Sequence, residues 1–139
     1  MDVLPVIYTL GGIGLLIWVS IILKKKKELK IRHQVFPQSS IDFLEKEVTF
    51  YRYLKDDKRI EFQQWINLFL SEKRITPVKV DLTENDKLLI ASAAIIPVIA
   101  FPYYLYPNLT EILIYPNAFD TDYGIEGDGR NVLGMVGTG

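Results

Sequence analysis

The sequence predicts an α+β protein in which an N-terminal transmembrane helix precedes a mainly helical domain. That domain should hold about three helices, with one or two β-strands at its C-terminal end. Three observations lead to this prediction: the apolar run Val3–Leu23 carries no charge, apolar residues recur at helical spacing from 41 to 96, and a β-rich segment follows at 111–115. We therefore expect an anchor with a basic stalk at 1–32 and a cytoplasmic domain at 33–139.

The first segment, Val3–Leu23, has the length expected of a membrane-spanning helix. At about 1.5 Å per residue it would extend about 31 Å, close to the roughly 30 Å apolar thickness of a bilayer. A cleavable signal peptide is the alternative, but its positive charge precedes the apolar run. Here Lys24–Lys27 follow the run and only Asp2 precedes it. The positive-inside rule then predicts a single-pass inner-membrane protein with its N-terminus outside and its soluble part in the cytoplasm.

The expected partner of this segment is the lipid bilayer. Tryptophan favours the membrane interface, and lysines are attracted to anionic head groups. The residues predicted at that interface are Trp18, Lys24, Lys25, Lys26 and Lys27. Nucleic acid is not an expected partner, because the net charge is −1 and no basic face with interleaved aromatic residues lies outside this lysine run. The chain has no cysteine, which excludes disulfides and thiolate ligands.

Three segments after the stalk have helical patterns. The first runs from about 41 to 54, with Ser39 or Ser40 as its cap, and the second from about 58 to 72, with Asp57 as its cap. The apolar residues of the second segment follow 3 and 4 spacing, which indicates one buried face. They are Phe62, Trp65, Ile66, Phe69 and Leu70.

The third helix is predicted from Glu84 to about Ile96. Thr83 and Asp86 have the spacing of a capping box at its start. Small residues on all sides, such as Ala91 and Ser92, indicate a helix that is buried nearly all round. The helix should end before Pro97.

Two segments have the pattern of extended chain. Ile75–Val80 alternates apolar and polar residues but contains Pro77, which predicts a connector or a short edge strand. Glu111–Tyr115 is the clearest strand, and Pro116–Asn117 closes it.

Few residues of the sequence are candidates for catalysis or for binding a metal or phosphate. His33 is the only histidine, and beside the predicted membrane segment an interfacial side chain is favoured over a ligand or catalytic base. No phosphate-binding glycine motif occurs. The carboxylates and glycines of 120–129 fit the calcium-loop pattern poorly, and a flexible acidic loop is the favoured interpretation. Tyr103, Tyr104 and Tyr106 could line a site, but a packing layer of tyrosines is favoured.

The order of these segments resembles a known family. FLEKEVTFYRYL, FQQWINLFLSEKR, LTENDKLLIASAA and, above all, YPNLTEILIYPNAF are similar to the first part of the Mlc titration factor A (MtfA) family. The similarity covers about Ile41 to Phe119. The apolar N-terminus resembles that of membrane-tethered bacterial members.

The resemblance implies a partial zincin-like domain and peptide or protein substrates. Family members are zinc-dependent peptidases, and their zinc ligands and general base lie on an H-E-x-x-H helix plus a downstream acid, beyond the point that corresponds to Gly139. No residue of this chain therefore matches a catalytic or metal position, and zinc is expected only in the full-length family. The resemblance also implies that the strand beside the active site pairs with substrate; its candidates are Ile112, Leu113, Ile114 and Tyr115.

Two functions remain open at this point. The chain is either the N-terminal fragment of a membrane-anchored zinc metallopeptidase, inactive by itself, or a short membrane-tethered helical module that binds another protein without catalysis. The resemblance favours the fragment. Whether the reading frame continues past Gly139 to H-E-x-x-H separates the two.

Overall fold

A computed structural model of the chain describes residues 4–101, 105–118 and 132–135. The described part is mostly helical, with one small sheet. Val132 forms an isolated β-bridge. The elements in chain order are α1 (Leu4–Arg32), α2 (Gln38–Glu47), α3 (Thr49–Arg52), α4 (Asp56–Glu72), β1 (Arg74–Pro77), α5 (Glu84–Ile95) and β2 (Glu111–Ile114).

The predicted transmembrane helix at Val3–Leu23 is not supported. Helix α1 continues without a break through Lys24–Lys27 to Arg32, so that apolar and charged segments share one helix. Within the described residues, no helix is both long enough and apolar enough to cross a bilayer. The transmembrane part of the predicted fold class is therefore wrong, and so is the single-pass inner-membrane location derived from it.

Helix α4 lies at the centre of the hydrophobic core. Its predicted face is buried, and Phe62, Ile66 and Phe69 are completely inaccessible to solvent. The ring of Phe62 lies 5.8 Å from the rings of both Phe50 and Tyr51. The predicted cap Asp57 lies inside the first turn instead, because the helix begins at Asp56, two residues earlier than predicted, and Lys55 is its N-cap.

The helix predicted from 41 to 54 is interrupted at Val48. This residue has φ −104° and ψ 94°, an extended conformation that ends α2 and begins α3. Valine tolerates extended backbone well because of its branched Cβ. Both Val48 and Tyr51 are buried, so the break serves the packing of this segment. Pro37, and neither serine, occupies the N-cap of α2.

Helix α5 begins with the predicted capping box. Thr83 Oγ1 accepts a hydrogen bond from the Asp86 backbone N–H, and the Asp86 carboxylate accepts one from the Thr83 N–H. The helix buries one face, which includes Ala91 and Ser92, whereas Leu89 is exposed. The prediction of burial nearly all round is therefore wrong.

The sheet consists of β1 and β2, which pair in parallel with Thr76 opposite Leu113. Parallel strands need a long crossover between them, and α5 occupies that crossover. Pro77 lies in β1, as the edge-strand interpretation predicted. Ile112 packs against the helical core and anchors the sheet to it.

Candidate substrate edge and adjoining cleft

The two edges of β2 can be distinguished from its hydrogen bonds. The Arg74 N–H donates to the Thr110 carbonyl at 3.1 Å, and the Val78 N–H donates to the Ile114 carbonyl at 2.8 Å. In a parallel ladder, backbone groups alternate between the two edges along each strand. Ile112 and Ile114 therefore direct their N–H and C=O groups to β1, whereas those of Glu111 and Leu113 point to the opposite edge. We call that opposite edge the outer edge of β2.

The same alternation distinguishes the outer edge of β1. Arg74, Thr76 and Val78 face β2, which places Ile75 and Pro77 on the other side of β1. Proline has no N–H to donate, so a peptide strand could not form a complete ladder there. Of the two outer edges, that of β2 has the better set of donors and acceptors.

Side chains of β2 alternate in the same way. Ile112 and Ile114 are half-buried and Ile112 packs on the core, whereas Glu111 is exposed and Leu113 is 43% exposed. The predicted candidates Ile112, Leu113 and Ile114 are thus not equivalent, and the fourth, Tyr115, follows the end of β2. The sequence could have indicated this, because residues of one strand face alternate directions. Which pair faces the core depends on the helices beneath.

Tyr106 controls how the chain enters β2. Its φ of 46° is in the left-handed region, which is unfavourable for a residue with a Cβ. Its hydroxyl donates to the Ala94 carbonyl at 2.9 Å, and its own carbonyl accepts from Lys73 Nζ at 3.0 Å. These two bonds tie the segment before β2 to the ends of α5 and α4. We call them the Tyr106 clamp.

Lys73 is the buried partner in this clamp. Its side chain is 7% exposed, and its ammonium group also lies 3.9 Å from the Glu72 carboxylate. Burial of an ammonium group is costly unless acceptors compensate for the lost water. No sequence pattern indicates this role, because Lys73 belongs to the polar run SEKR at the end of α4.

A polar cleft of about 610 Å³ adjoins the start of both strands. Glu111 is one of its lining residues, and its carboxylate accepts from Thr76 Oγ1 at 2.5 Å and lies 3.9 Å from the Arg74 guanidinium. Acidic and basic groups are thus balanced in the cleft. Its polar lining consists of Ser71, Glu72, Lys73, Arg74, Thr110 and Glu111.

The side chains that line this cleft can form hydrogen bonds and ion pairs. Among the described residues, no group of three or more His, Cys, Asp or Glu side chains could hold a metal ion. His33 is distant in sequence and lines a different pocket, at the end of α1. The arrangement can orient a bound chain by hydrogen bonds and charge.

The remaining predicted site residues lie elsewhere. Trp18 and the lysines Lys24–Lys27 are exposed along α1, and their assignment to a membrane interface depended on the transmembrane helix that is not supported. Tyr103 and Tyr104 lie outside the described residues, as does the acidic, glycine-containing segment at 120–129.

Comparison with known proteins identifies the family. The model of the family described as glucose-regulated metallo-peptidase M90 matches residues 22–138, a wider span than the 41–119 of the sequence resemblance. No curated protein and no solved structure matches the chain. The match covers most of the chain and confirms the resemblance to the MtfA-like peptidases. The chain therefore belongs to the M90 family of glucose-regulated metallopeptidases.

Proposed function

We propose that this chain forms the N-terminal part of a zinc-dependent peptidase and that the outer edge of β2 binds the extended substrate. Family membership supports the reaction class, hydrolysis of a peptide bond in a peptide or protein. The observation that carries the site is the alternation of β2, which directs the backbone groups of Glu111 and Leu113 away from β1. An extended peptide can add to such an edge through main-chain hydrogen bonds.

The cleft next to β2 would orient the polar part of the substrate. Glu111 belongs to both features, because its backbone lies on the outer edge and its carboxylate lines the cleft. A peptide on this edge would therefore pass directly beside Glu111, whose carboxylate lies 3.9 Å from the Arg74 guanidinium of the neighbouring strand. The Tyr106 clamp holds this region against the helical core, which limits the entropy lost when substrate binds.

Zinc is proposed for the complete enzyme, and the described residues do not fit it. They contain no group of ligands for a metal ion, so we assign to them the scaffold and the substrate edge. The zinc ligands and the general base are assigned to sequence of the H-E-x-x-H type, which this chain lacks.

The substrate edge is tested with Leu113→Pro in the protein made from the complete reading frame. This change removes one outer-edge N–H, while Leu113→Ala removes only the side chain and serves as the matched control. One hydrogen bond is worth about 1 kcal/mol, so kcat/KM for an extended peptide should fall about fivefold more in the proline variant. Circular dichroism should show that both variants keep their helices.

Equal kcat/KM for the two Leu113 variants would contradict substrate pairing at this edge. Absence of both bound zinc and hydrolysis in the complete product would instead support the alternative of a helical protein-interaction module. The two failures are distinct, because zinc content does not depend on Leu113.

A further inference from the structure

A second pocket lies where the C-terminal end of α1 meets α4. Its volume is about 240 Å³, and it is separate from the cleft beside the sheet. We call it the α1–α4 pocket. Its lining includes Arg32, His33, Val35, Ile60, Gln64 and Asn67.

Arg32 is the most unusual side chain in this pocket. Its guanidinium carbon lies 4.2 Å from the centre of the Trp65 ring, so the aromatic ring covers one face of the group. The Nε atom is buried without a hydrogen-bond partner. Within the described part of the chain, Arg32 forms no salt bridge or hydrogen bond, although a guanidinium group carries five N–H donors in its plane. This arrangement leaves a positively charged donor set at the pocket.

Two side-chain amides of the pocket differ in whether they can donate a hydrogen bond to a ligand. The Asn67 amide donates to the Gln34 carbonyl at 3.0 Å and thereby fixes the pocket wall. The half-buried Gln64 amide lines the pocket and has no hydrogen-bond partner among the described residues. Gln64 can therefore donate beside Arg32.

The charge of the pocket favours an anion with a single charge. A guanidinium group binds a carboxylate in a planar, two-pronged geometry. The C-terminal end of α1 carries partial negative charge, which offsets part of the arginine charge and disfavours a doubly charged anion such as phosphate. A monocarboxylate matches the remaining charge best.

Exposed apolar side chains indicate what the carboxylate should be attached to. Val35 is 87% exposed and Ile60 is 55% exposed, and both line the pocket next to the buried Phe36. An apolar substituent could cover Val35 and Ile60 while its carboxylate reaches Arg32. We propose that the α1–α4 pocket binds a monocarboxylate that carries a small apolar group, either a free carboxylic acid or the C-terminal leucine-like residue of a peptide.

The binding test uses three probes and one intrinsic signal. N-acetylleucine represents a peptide C-terminus, 4-methylpentanoate represents a free acid, and N-acetylleucinamide lacks the carboxylate. Trp65 reports binding by fluorescence once Trp18→Phe removes the only other tryptophan. Both acids should bind at least about tenfold more tightly than the amide, because the charged hydrogen bonds to Arg32 require the carboxylate. Equal affinity for the two acids would identify the free carboxylate as sufficient, and preference for N-acetylleucine would identify the peptide C-terminus.

Variants test whether Arg32 binds the carboxylate of the probe. Arg32→Met keeps an apolar stem on Trp65 and should raise the dissociation constant of N-acetylleucine about tenfold or more. Lys30→Met makes the same change of charge on an exposed residue of the same turn and should alter it less than about twofold. Arg32→Lys keeps the charge but lacks the planar, two-pronged set of N–H donors, so it should give an intermediate dissociation constant. This variant provides a readout if the methionine variant does not fold.

Two results would overturn the proposal. One is binding of N-acetylleucinamide as tight as that of the acids, and the other is an unchanged dissociation constant in a folded Arg32→Met protein. Movement of the Gln64 side-chain amide signal on addition of N-acetylleucine places the probe in this pocket, and an unmoved signal contradicts that location.

Discussion

The two longest helices, α1 and α4, show opposite relations between apolar content and burial. Helix α4 contains many polar residues, yet Phe62, Ile66 and Phe69 are completely buried. Helix α1 has a long apolar stretch, yet Leu16 is 69% exposed and Trp18 is also exposed. The number of apolar residues therefore does not determine which helix forms the core.

The spacing of the apolar residues and the neighbouring helices explain why α4 is buried and α1 is exposed. The apolar residues of α4 recur at 3 and 4 spacing, so they form one face that α2, α3 and α5 can cover. Those of α1 have no preferred face. Within the described residues, α4 is joined to the C-terminal end of α1 by the Arg32 guanidinium on the Trp65 ring, and to the segment just after α1 by the hydrogen bond from Asn67 to the Gln34 carbonyl.

The largest expected effect comes from the centre of α4. Phe62→Ala should lower the free energy of unfolding by about 3–5 kcal/mol, because the residue is fully buried and its loss leaves a cavity. Ile60→Ala on the exposed side of the same helix and Leu16→Ala on α1 should each change it by less than about 0.5 kcal/mol. Urea unfolding followed by circular dichroism measures all three. A loss at Leu16 as large as that at Phe62 would show that α1 shares the core.

The Tyr106 clamp should have the next largest effect. Lys73→Met keeps the length of the side chain but removes the bond to the Tyr106 carbonyl, which should cost about 1–2 kcal/mol. Amide exchange at Ile112 and Ile114 should become faster, since β2 loses one of its attachments. Lys46→Met, an exposed lysine of α2, is the control. Unchanged amide exchange in β2 would show that the Tyr106 clamp does not stabilise the sheet.

Removal of the α5 capping box should lower the free energy of unfolding by a smaller amount. Thr83→Ala removes the hydroxyl that accepts from the Asp86 N–H, and an N-cap of this kind is worth about 1 kcal/mol. Thr49→Ala is the matched control, because within the described part of the chain its hydroxyl accepts a hydrogen bond from the exposed Arg52 side chain alone. Equal unfolding midpoints for the two variants would contradict a stabilising role of the box.

The smallest expected effect is on the pH dependence of stability. Hydrogen bonds from the Thr83 hydroxyl and then from the Thr83 backbone N–H lower the pKa of Asp86 below its ordinary value. A lowered pKa in the folded state stabilises the protein above the pKa of the unfolded state, and this contribution disappears as pH falls through the folded-state pKa. In Thr83→Ala the pKa of Asp86 should rise toward its ordinary value. An NMR titration of the Asp86 carboxyl checks this, and an unchanged pKa would assign the shift to the backbone alone.

Local patterns predicted the parts of the fold that depend on neighbouring residues in sequence. The spacing of Phe62, Ile66 and Phe69 located α4, Thr83 and Asp86 located the start of α5, and Pro77 indicated an edge strand. Each of these signals acts within one helix turn or one strand. The segment resemblance in addition identified the family.

Other features depend on contacts between distant segments. Val48 interrupts a continuous helical pattern because the packed structure buries it together with Tyr51. The bond between Lys73 and Tyr106 joins residues 33 positions apart, and neither residue looks unusual in its own segment. The transmembrane prediction combined the length of the apolar run with the lysines that follow it. In the structure that run and the charged segment Lys24–Arg32 form one helix, and no helix of the described residues is long and apolar enough to cross a bilayer.

Zinc content is the most direct test of the proposed metallopeptidase function. The protein made from the complete reading frame should be purified, and its bound metal measured by mass spectrometry alongside the 139-residue chain. We expect about one zinc per molecule in the complete product and none in the 139-residue chain, because the residues assigned to zinc binding lie outside it. A complete product without zinc, or equal zinc in both proteins, would contradict the division into a scaffold with a substrate edge and a separate metal-binding segment.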